Sequence, residues 1–303
     1  MNKKKIFAAL LTVSMIFSGA PVITSAVTTN EVMEASTKAS DVYDMKVKDL
    51  TTGTETTVAK SSYTTGTSTL SGETTNSYIP SSVALRGKII GNDDRSKITD
   101  TKKFPYSAIC YIRISYANGR NYIGTAWMYS KNMAITAGHC VYSAADGGWP
   151  KSITVIPGAN GNKAPFGSVQ AKALHCPSGF TANGNSNYDF GIIELNSNIG
   201  EKTGYFGAEW IKSSSKGSDV TVTGYPGEKS KTLWTMTGPI DTVTTNRYLY
   251  KVDTTGGQSG CPVYRKSGSN YRAVSIHTTG SSTQNGSTRI TKSIFDYINK
   301  FRK

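Results

Sequence analysis

The chain is 303 residues long, enough for one large domain or two small ones together with processing segments. It carries 34 Lys and Arg against 20 Asp and Glu, a formal charge of +14. The first 26 residues hold three lysines and no acid, and residues 27–87 hold five bases and seven acids, which leaves +13 for residues 88–303. No basic helix, Arg-rich run or aromatic stacking motif accompanies that charge, so nucleic acid is not the expected partner. The field acts instead as a modifier of substrate preference, drawing in acidic substrates or anionic surfaces.

In chain order, Lys3, Lys4 and Lys5 precede an apolar run from Ile6 to Phe17 and then small residues. That pattern predicts a secretory signal peptide over 1–26, cut before Val27 or alternatively after Ser18-Gly19-Ala20. The apolar run is too short for a stable membrane anchor. The expected location is therefore extracellular. Residues 27–87 differ in composition from residues 88–303, and positions 51–78 are dominated by Thr, Ser and Gly, with no apolar periodicity long enough to bury a face. The segment could be a linker, but directly after an export signal it reads as a propeptide, leaving 88–303 as the folded domain.

From Ile89 onward short apolar-polar alternations are bounded by Gly, Asn, Ser and Pro. Strands are predicted over 107–115, 123–129, 133–136, 152–156, 191–195, 220–223, 248–253, 263–265 and 273–277, rich in Ile, Val, Tyr and Thr. The length suits an all-β fold of two stacked six-stranded antiparallel barrels. One helix is predicted, over 293–302, with Ile294, Phe295, Ile298 and Phe301 on one face, Asp296 early and Lys300 and Arg302 late. It is expected to pack on the second barrel. Cys110, Cys140, Cys176 and Cys261 are even in number, and export makes at least one disulfide the expectation, with three pairings open. No Cys-x-x-Cys or His/Cys cluster points to a metal.

Chemistry is concentrated in three places. Thr136-Ala137-Gly138-His139-Cys140 delivers a histidine at the end of a strand, and the small Ala137 and Gly138 allow a tight approach. Asn187-Tyr188-Asp189-Phe190-Gly191 sends a carboxylate into an apolar strand, where it needs a strong partner to remain ionised. Asp146 and Asp219 are its rivals, in more solvated contexts. Gly256-Gly257-Gln258-Ser259-Gly260 holds a serine in a glycine-lined turn. A serine hydroxyl needs an adjacent imidazole to take its proton, and that imidazole needs a carboxylate to fix its tautomer. His139, Asp189 and Ser259 supply that set in the order His, Asp, Ser, with the backbone N–H groups of Gly257 and Ser259 as the expected oxyanion hole. This chemistry requires no cofactor. Gly-x-Ser-x-Gly hydrolases place Ser before His and need a glycine where Cys261 stands. Cys261 reads as structural, and His175, beside Cys176 and Pro177, as a surface loop residue.

Together with Ile90–Arg95 and Gly224-Tyr225-Pro226-Gly227, these motifs resemble the glutamyl endopeptidases of bacilli and staphylococci, a branch of the chymotrypsin-like serine proteases. The resemblance runs from about Lys88 to the C-terminus and implies a double β-barrel with a C-terminal helix, a monomer cleaving proteins and peptides after glutamate and more weakly after aspartate. His139, Asp189 and Ser259 fall on the family's triad positions. His277 and Thr254 match its S1 pocket, and Thr278 and Gly280 lie on the edge where substrate backbone pairs. Several relatives carry a cysteine near Gly124-Thr125 that pairs with the one after the histidine. This chain has Gly124, so Cys140 must pair elsewhere, for instance with Cys110, or remain free.

Gln258 precedes the serine, where trypsin-like zymogens need an aspartate to bind the new terminal amine. The resemblance implies that the mature amine, freed by a cut between Arg86 and Ile89, reaches toward S1 instead. The nearest upstream glutamate is Glu73, so a separate activating protease is expected. Two alternatives stand beside this reading: a related protease of different P1 preference, and a basic binding protein on the same scaffold that lacks catalysis.

Overall fold

A computed structural model describes residues 41–64, 72–77, 95–280 and 283–302. The predicted leader and the Arg86–Ile89 region lie outside the described residues.

Strands β1 (Met45–Asp49) and β2 (Glu55–Val58) form a hairpin, followed by β3 (Gly72–Thr74) and β4 (Ser96–Lys97). The next six are β5 (Ile109–Ser115), β6 (Asn121–Ser130), β7 (Met133–Thr136), β8 (Ser152–Pro157), β9 (Val169–Pro177) and β10 (Gly191–Leu195). They run in the order β10-β7-β6-β5-β8-β9, and β9 closes the barrel on β10. After β11 (Gly207–Ile211) come β12 (Asp219–Gly224), β13 (Trp234–Val243), β14 (Arg247–Tyr250), β15 (Pro262–Ser267), β16 (Asn270–Gly280) and β17 (Asn285–Arg289). These close as β15-β12-β13-β14-β17-β16, with β16 sealed on β15. The fold is two closed six-stranded antiparallel barrels, as the sequence predicts.

Side-chain alternation explains why these segments become barrel walls. Along β8, Ile153, Val155 and Pro157 are buried while Ser152, Thr154 and Ile156 are less so. Ile112, Trp127, Ile135, Ile192 and Ile193 fill the first barrel, within a cluster that extends to Phe206 and the C-terminal helix. Val220, Val222, Ile240, Val252, Val263 and Val274 form a separate cluster in the second.

Several elements escape the sequence prediction for identifiable reasons. β9 is built on small residues and a terminal proline, and its last five positions are all buried, so no alternation remains to be read there. β13 carries Gly238 and Pro239 in its interior and a register shift between Ile240 and Thr242. β17 buries Gly286, Ser287, Thr288 and Arg289 without one large apolar side chain. β2 lies in the stretch 51–78 read as having no face to bury and β1 just before it, within the predicted propeptide, yet they extend the first barrel from the edge of β9.

The helix α1 (Lys292–Lys300) forms as predicted, capped by the Thr291 hydroxyl, which accepts from Ile294 N–H. It lies against β11, the strand that joins the second barrel's sheet beside β16, and also reaches the first barrel, where Tyr297 meets His175 Nδ1 of β9 at 2.5 Å and Asn299 Oδ1 accepts from Tyr129 Oη of β6. His175 is not a surface residue: it is fully buried, joining Tyr297 on one side and Glu194 Oε1, 2.7 Å away, on the other. The disulfide expectation also fails. All four cysteines are free and buried. Cys140 Sγ lies against Ser259 O and Cys176 Sγ against Gly138 O, each acting as a small apolar filler. Burial raises the pKa of Cys110, Cys176 and Cys261.

Candidate active site

His139 lies in a single turn, Gly138–Cys140, that follows β7. A Cβ on Gly138 would meet Asp189 Oδ1 at 3.0 Å and Phe190 N at 3.1 Å, so glycine is what lets the turn close on the carboxylate. Asp189 then receives two bonds from one residue: His139 N–H donates to Oδ1 at 2.9 Å, and Nδ1–H to Oδ2 at 2.9 Å. Burial opposes charge on the imidazole, but the Asp189 carboxylate outweighs it and holds the His139 pKa well above its usual value.

Asp189 is itself buried, at the end of a turn over Ser186–Tyr188 whose start is fixed by Asn185 Oδ1 accepting from Asn187 N–H. Arg247, a residue with no motif to mark it, braces this turn from the second barrel. Its Nη1 donates to Ser186 O at 2.6 Å and its Nη2 to Thr279 Oγ1 at 2.6 Å. Burial lowers its pKa against the pull of Asp189. Neither rival for the acid bonds to His139, although Asp146 borders the cleft that holds it. Asp146 is less solvated than expected but accepts from Ser143 Oγ at 2.7 Å, with Asn118, Arg120 and Tyr122 around it. Asp219 opens β12 and is exposed.

The Ser259 turn hangs between the barrels. Thr125 N–H of β6 donates to Ser259 O at 2.9 Å, while Gly260 N–H donates to His277 O of β16 at 2.7 Å. Gly257 and Gly260 hold φ of +96° and +88°, and a Cβ on either would collide with backbone, 2.6 Å from Tyr225 O for Gly257 and 2.2 Å from Thr125 O for Gly260. The N–H groups of Gly257 and Ser259 donate to no acceptor among the described residues. Gln258 is buried, its Oε1 accepting from Thr255 N–H at 2.9 Å and from Arg95 at 3.5 Å. Ser259 and His139 line one cleft, with no hydrogen bond between hydroxyl and imidazole among the described residues; such contacts tighten when substrate binds.

His277 flanks this turn through its backbone, and its side chain is buried against Tyr250, whose Oη lies 2.8 Å from Nδ1. Burial, together with the charges of His139 and Arg247, pushes the His277 pKa down to about 3. The imidazole is therefore neutral, and its tautomer follows the direction of the Tyr250 bond: with the phenol donating to Nδ1, the ring proton rests on Nε2. Tyr250 too went unmarked by any motif. A Cβ on Gly280 would lie 4.0 Å from Thr254 Oγ1, which brings Thr254 beside the end of β16. The β16–β17 register skips Thr278, a bulge that removes its backbone from the ladder. A cleft of about 560 Å³ opens on the β6 side of Ser259, lined by Ile114, Tyr116, Tyr122, Ile123, Tyr142 and residues 180–184. His277 and Thr254 do not border it.

A double barrel with histidine, buried aspartate and glycine-held serine between its halves defines the class of chymotrypsin-like serine endopeptidases. The trypsin family model matches residues 96–303, and the chain belongs to that family. Within it, the chain is similar to a glutamyl endopeptidase of Bacillus licheniformis, 41% identical over 71% of this chain and 69% of the relative. It is equally similar to a Bacillus subtilis protein named an extracellular metalloprotease, 41% identical over 69% of this chain and 68% of that one. Among the described residues no three His, Cys, Asp or Glu side chains group as a metal site. A solved structure of a Glu endopeptidase in complex with MPD superposes with a TM-score of 0.63 at 31% identity, covering 71% of this chain and 99% of that one. No helix among the described residues is long and apolar enough to cross a membrane.

Proposed function

We propose that this chain is a secreted endopeptidase that cleaves after glutamate, and more weakly after aspartate, with His139, Asp189 and Ser259 as its triad. The observation that carries the reading is the double bond pattern from His139 to Asp189, which fixes the imidazole tautomer and leaves Nε2 to take the serine proton. Ser259 Oγ attacks the scissile carbonyl, and the Gly257 and Ser259 N–H groups receive the developing oxyanion. His139 then protonates the leaving amine, and water repeats the sequence on the acyl-enzyme.

The S1 reading rests on His277 and Thr254. With its proton on Nε2, His277 is a neutral donor to a P1 carboxylate, and the Thr254 hydroxyl is a second; neither suits a cationic side chain. Substrate backbone would pair with Thr278 and Gly280, which supports an extended binding mode. Secretion, a propeptide over 27–87 and activation between Arg86 and Ile89 by another protease complete the proposal. Arg95 packing onto Thr255 and Gln258 supports delivery of the mature amine toward S1.

The test is a peptide library varied only at P1, cut by mature enzyme and by its Ser259→Ala variant. Cleavage after Glu, weaker after Asp and abolished in the variant, is the expected outcome. Ser259-dependent cleavage after other residues would overturn the pocket assignment and keep the triad.

A further inference from the structure

Residues 41–64 and 72–77 are laid down as strands and turns over both barrels, coming near the site only from behind, where Tyr43 stands edge-to-face on Tyr188 and Val42 O accepts from Gly179 N–H. β1 pairs along its whole length with the outer edge of β9, from Met45 opposite Pro177 to Asp49 opposite Ala173. That edge is open because β8 pairs with β9 only at Val169 and Gln170. β3 pairs with β11, opposing Glu209, Trp210 and Ile211. An uncovered strand edge exposes unpaired backbone groups, and both edges are filled by this one segment.

Side chains extend the contact over both barrels and the C-terminal helix. Met45 is fully buried and Tyr63 nearly so, and both belong to the main hydrophobic cluster of the domain. Tyr63 stands edge-to-face on Tyr297 of α1, with ring centroids 4.8 Å apart, and donates to Tyr43 O. Glu55 accepts from Trp149 Nε1 at 2.9 Å on the first barrel. On the second, Arg272 donates to Asn76 Oδ1 at 2.7 Å and Tyr43 Oη to Asn246 Oδ1 at 3.1 Å. Residues 27–87 carry a charge of −2 against +13 on residues 88–303, so the pairing is also electrostatically complementary.

The active cleft receives none of this. Among the described residues of 41–77, none borders the cleft that holds His139 and Ser259. Among the described residues of the segment, none makes a hydrogen bond, ion pair or ring contact with His139, Ser259, Thr254 or His277. The His139–Asp189 pair is already formed with the segment in place, and the His139 side chain is 36% exposed.

We infer that residues 41–77 are a clamp, not a plug: they complete the β9 and β11 edges and the core under α1, and they stay docked as a non-covalent subunit after the chain is cut near residue 88. The inference rests on the proposed start of the catalytic part near Lys88. Latency of the precursor then belongs to the uncut connection at 86–89, while the clamp supplies folding and stability without obstructing substrate.

The experiment uses the secreted full-length precursor, nicked by limited trypsin and analysed by native mass spectrometry and labelling with a sulfonyl fluoride. Expected is a one-to-one complex of the N-terminal fragment with the catalytic part, in which Ser259 is labelled as fast as after the fragment is stripped off by mild urea. Tyr63→Phe and Glu55→Ala, each removing one clamp bond, are expected to shorten the lifetime of the complex by roughly threefold to tenfold. Separation of the fragment in plain buffer overturns the clamp, and so does a bound fragment that blocks labelling. The proposed function fails separately: intact masses read docking whether or not Ser259 reacts, and a serine unlabelled even after stripping sinks the protease mechanism alone.

Discussion

The Tyr250 hydroxyl lies 2.8 Å from His277 Nδ1, and the direction of this one bond sets which ring nitrogen of the histidine proposed to line S1 carries the proton. With the His277 pKa at about 3, the proposed recognition of a P1 glutamate would rely on a neutral N–H donor. The ratio of kcat/KM for Glu and Gln substrates is therefore expected to stay flat from pH 5 to 8, since the substrate carboxylate is already ionised there. A ratio that titrates near 6.5 would show an imidazolium in the pocket instead. Tyr250→Phe frees the tautomer and is expected to lower kcat/KM for Glu by about threefold to tenfold, the worth of one net hydrogen bond. Cleavage after Gln should change less.

The pH dependence of turnover depends on His139. The Asp189 carboxylate overcomes the effect of burial and raises its pKa, so the acid limb of kcat/KM is expected above the ordinary histidine value, with activity rising as the imidazole loses its proton. Asp189→Asn should move that limb down and cut kcat by about 10⁴, the scale seen when a triad aspartate is neutralised in chymotrypsin-like enzymes. Linkage gives a second readout. A raised folded pKa stabilises the fold fully below the unfolded histidine value, and that contribution is lost as pH rises through the folded one. In Ser259→Ala protein, Tm should show this decline with pH, and Asp189→Asn should remove it.

Much of the site was legible in the sequence, and the parts that were not share a physical cause. His139, Asp189 and Ser259 are readable because their chemistry demands special neighbours, such as Gly138 under Asp189 and the positive-φ Gly257 and Gly260 around Ser259. Arg247 and Tyr250 sit in a four-residue strand, Arg-Tyr-Leu-Tyr, whose pattern says only that it is a barrel wall. What they do depends on partners 61, 32 and 27 positions away. The same holds for His175, whose place is set by Tyr297, 122 positions later. β1 and β2 were hidden because strands added at a barrel's edge are held by backbone pairing, which needs little apolar surface.

Arg247 gives the third prediction. Its two donors tie the turn before Asp189 to Thr279 at the end of β16, so one guanidinium couples the orienting acid to the strand proposed to bind substrate. Arg247→Met should cost about 1.5–3 kcal/mol of stability, since the part-buried Ser186 carbonyl loses a charged donor. It should also raise KM and lower kcat together. Arg247→Lys cannot serve both acceptors with one fork and is expected to fall between. Wild-type kcat with a lowered Tm would reduce Arg247 to a structural brace.

Gly124 and Cys140 supply the last prediction. A Cβ on Gly124 would lie 3.1 Å from Cys140 Sγ. Across a disulfide the distance from one Cβ to the partner sulfur is about 3 Å, so the free thiol already points along the right line. Gly124→Cys is therefore expected to close a disulfide with Cys140, and denatured protein should then show fewer reactive thiols than the four of the parent. A loop of this length predicts a gain of about 3 kcal/mol from constraining the unfolded chain. Part of that gain is offset, because the same Cβ meets Ile112 Cδ1 at 3.2 Å and the isoleucine must turn aside. The net rise in Tm should vanish on reduction, leaving the reduced variant slightly below the parent. Kinetic constants for Glu substrates should change little in the oxidised form, because Cys140 Sγ meets Ser259 only at its backbone oxygen, while the acid limb should move slightly down as His139 loses the thiol that helps raise its pKa. An undiminished thiol count would show that the turn carrying His139 cannot accept the bond.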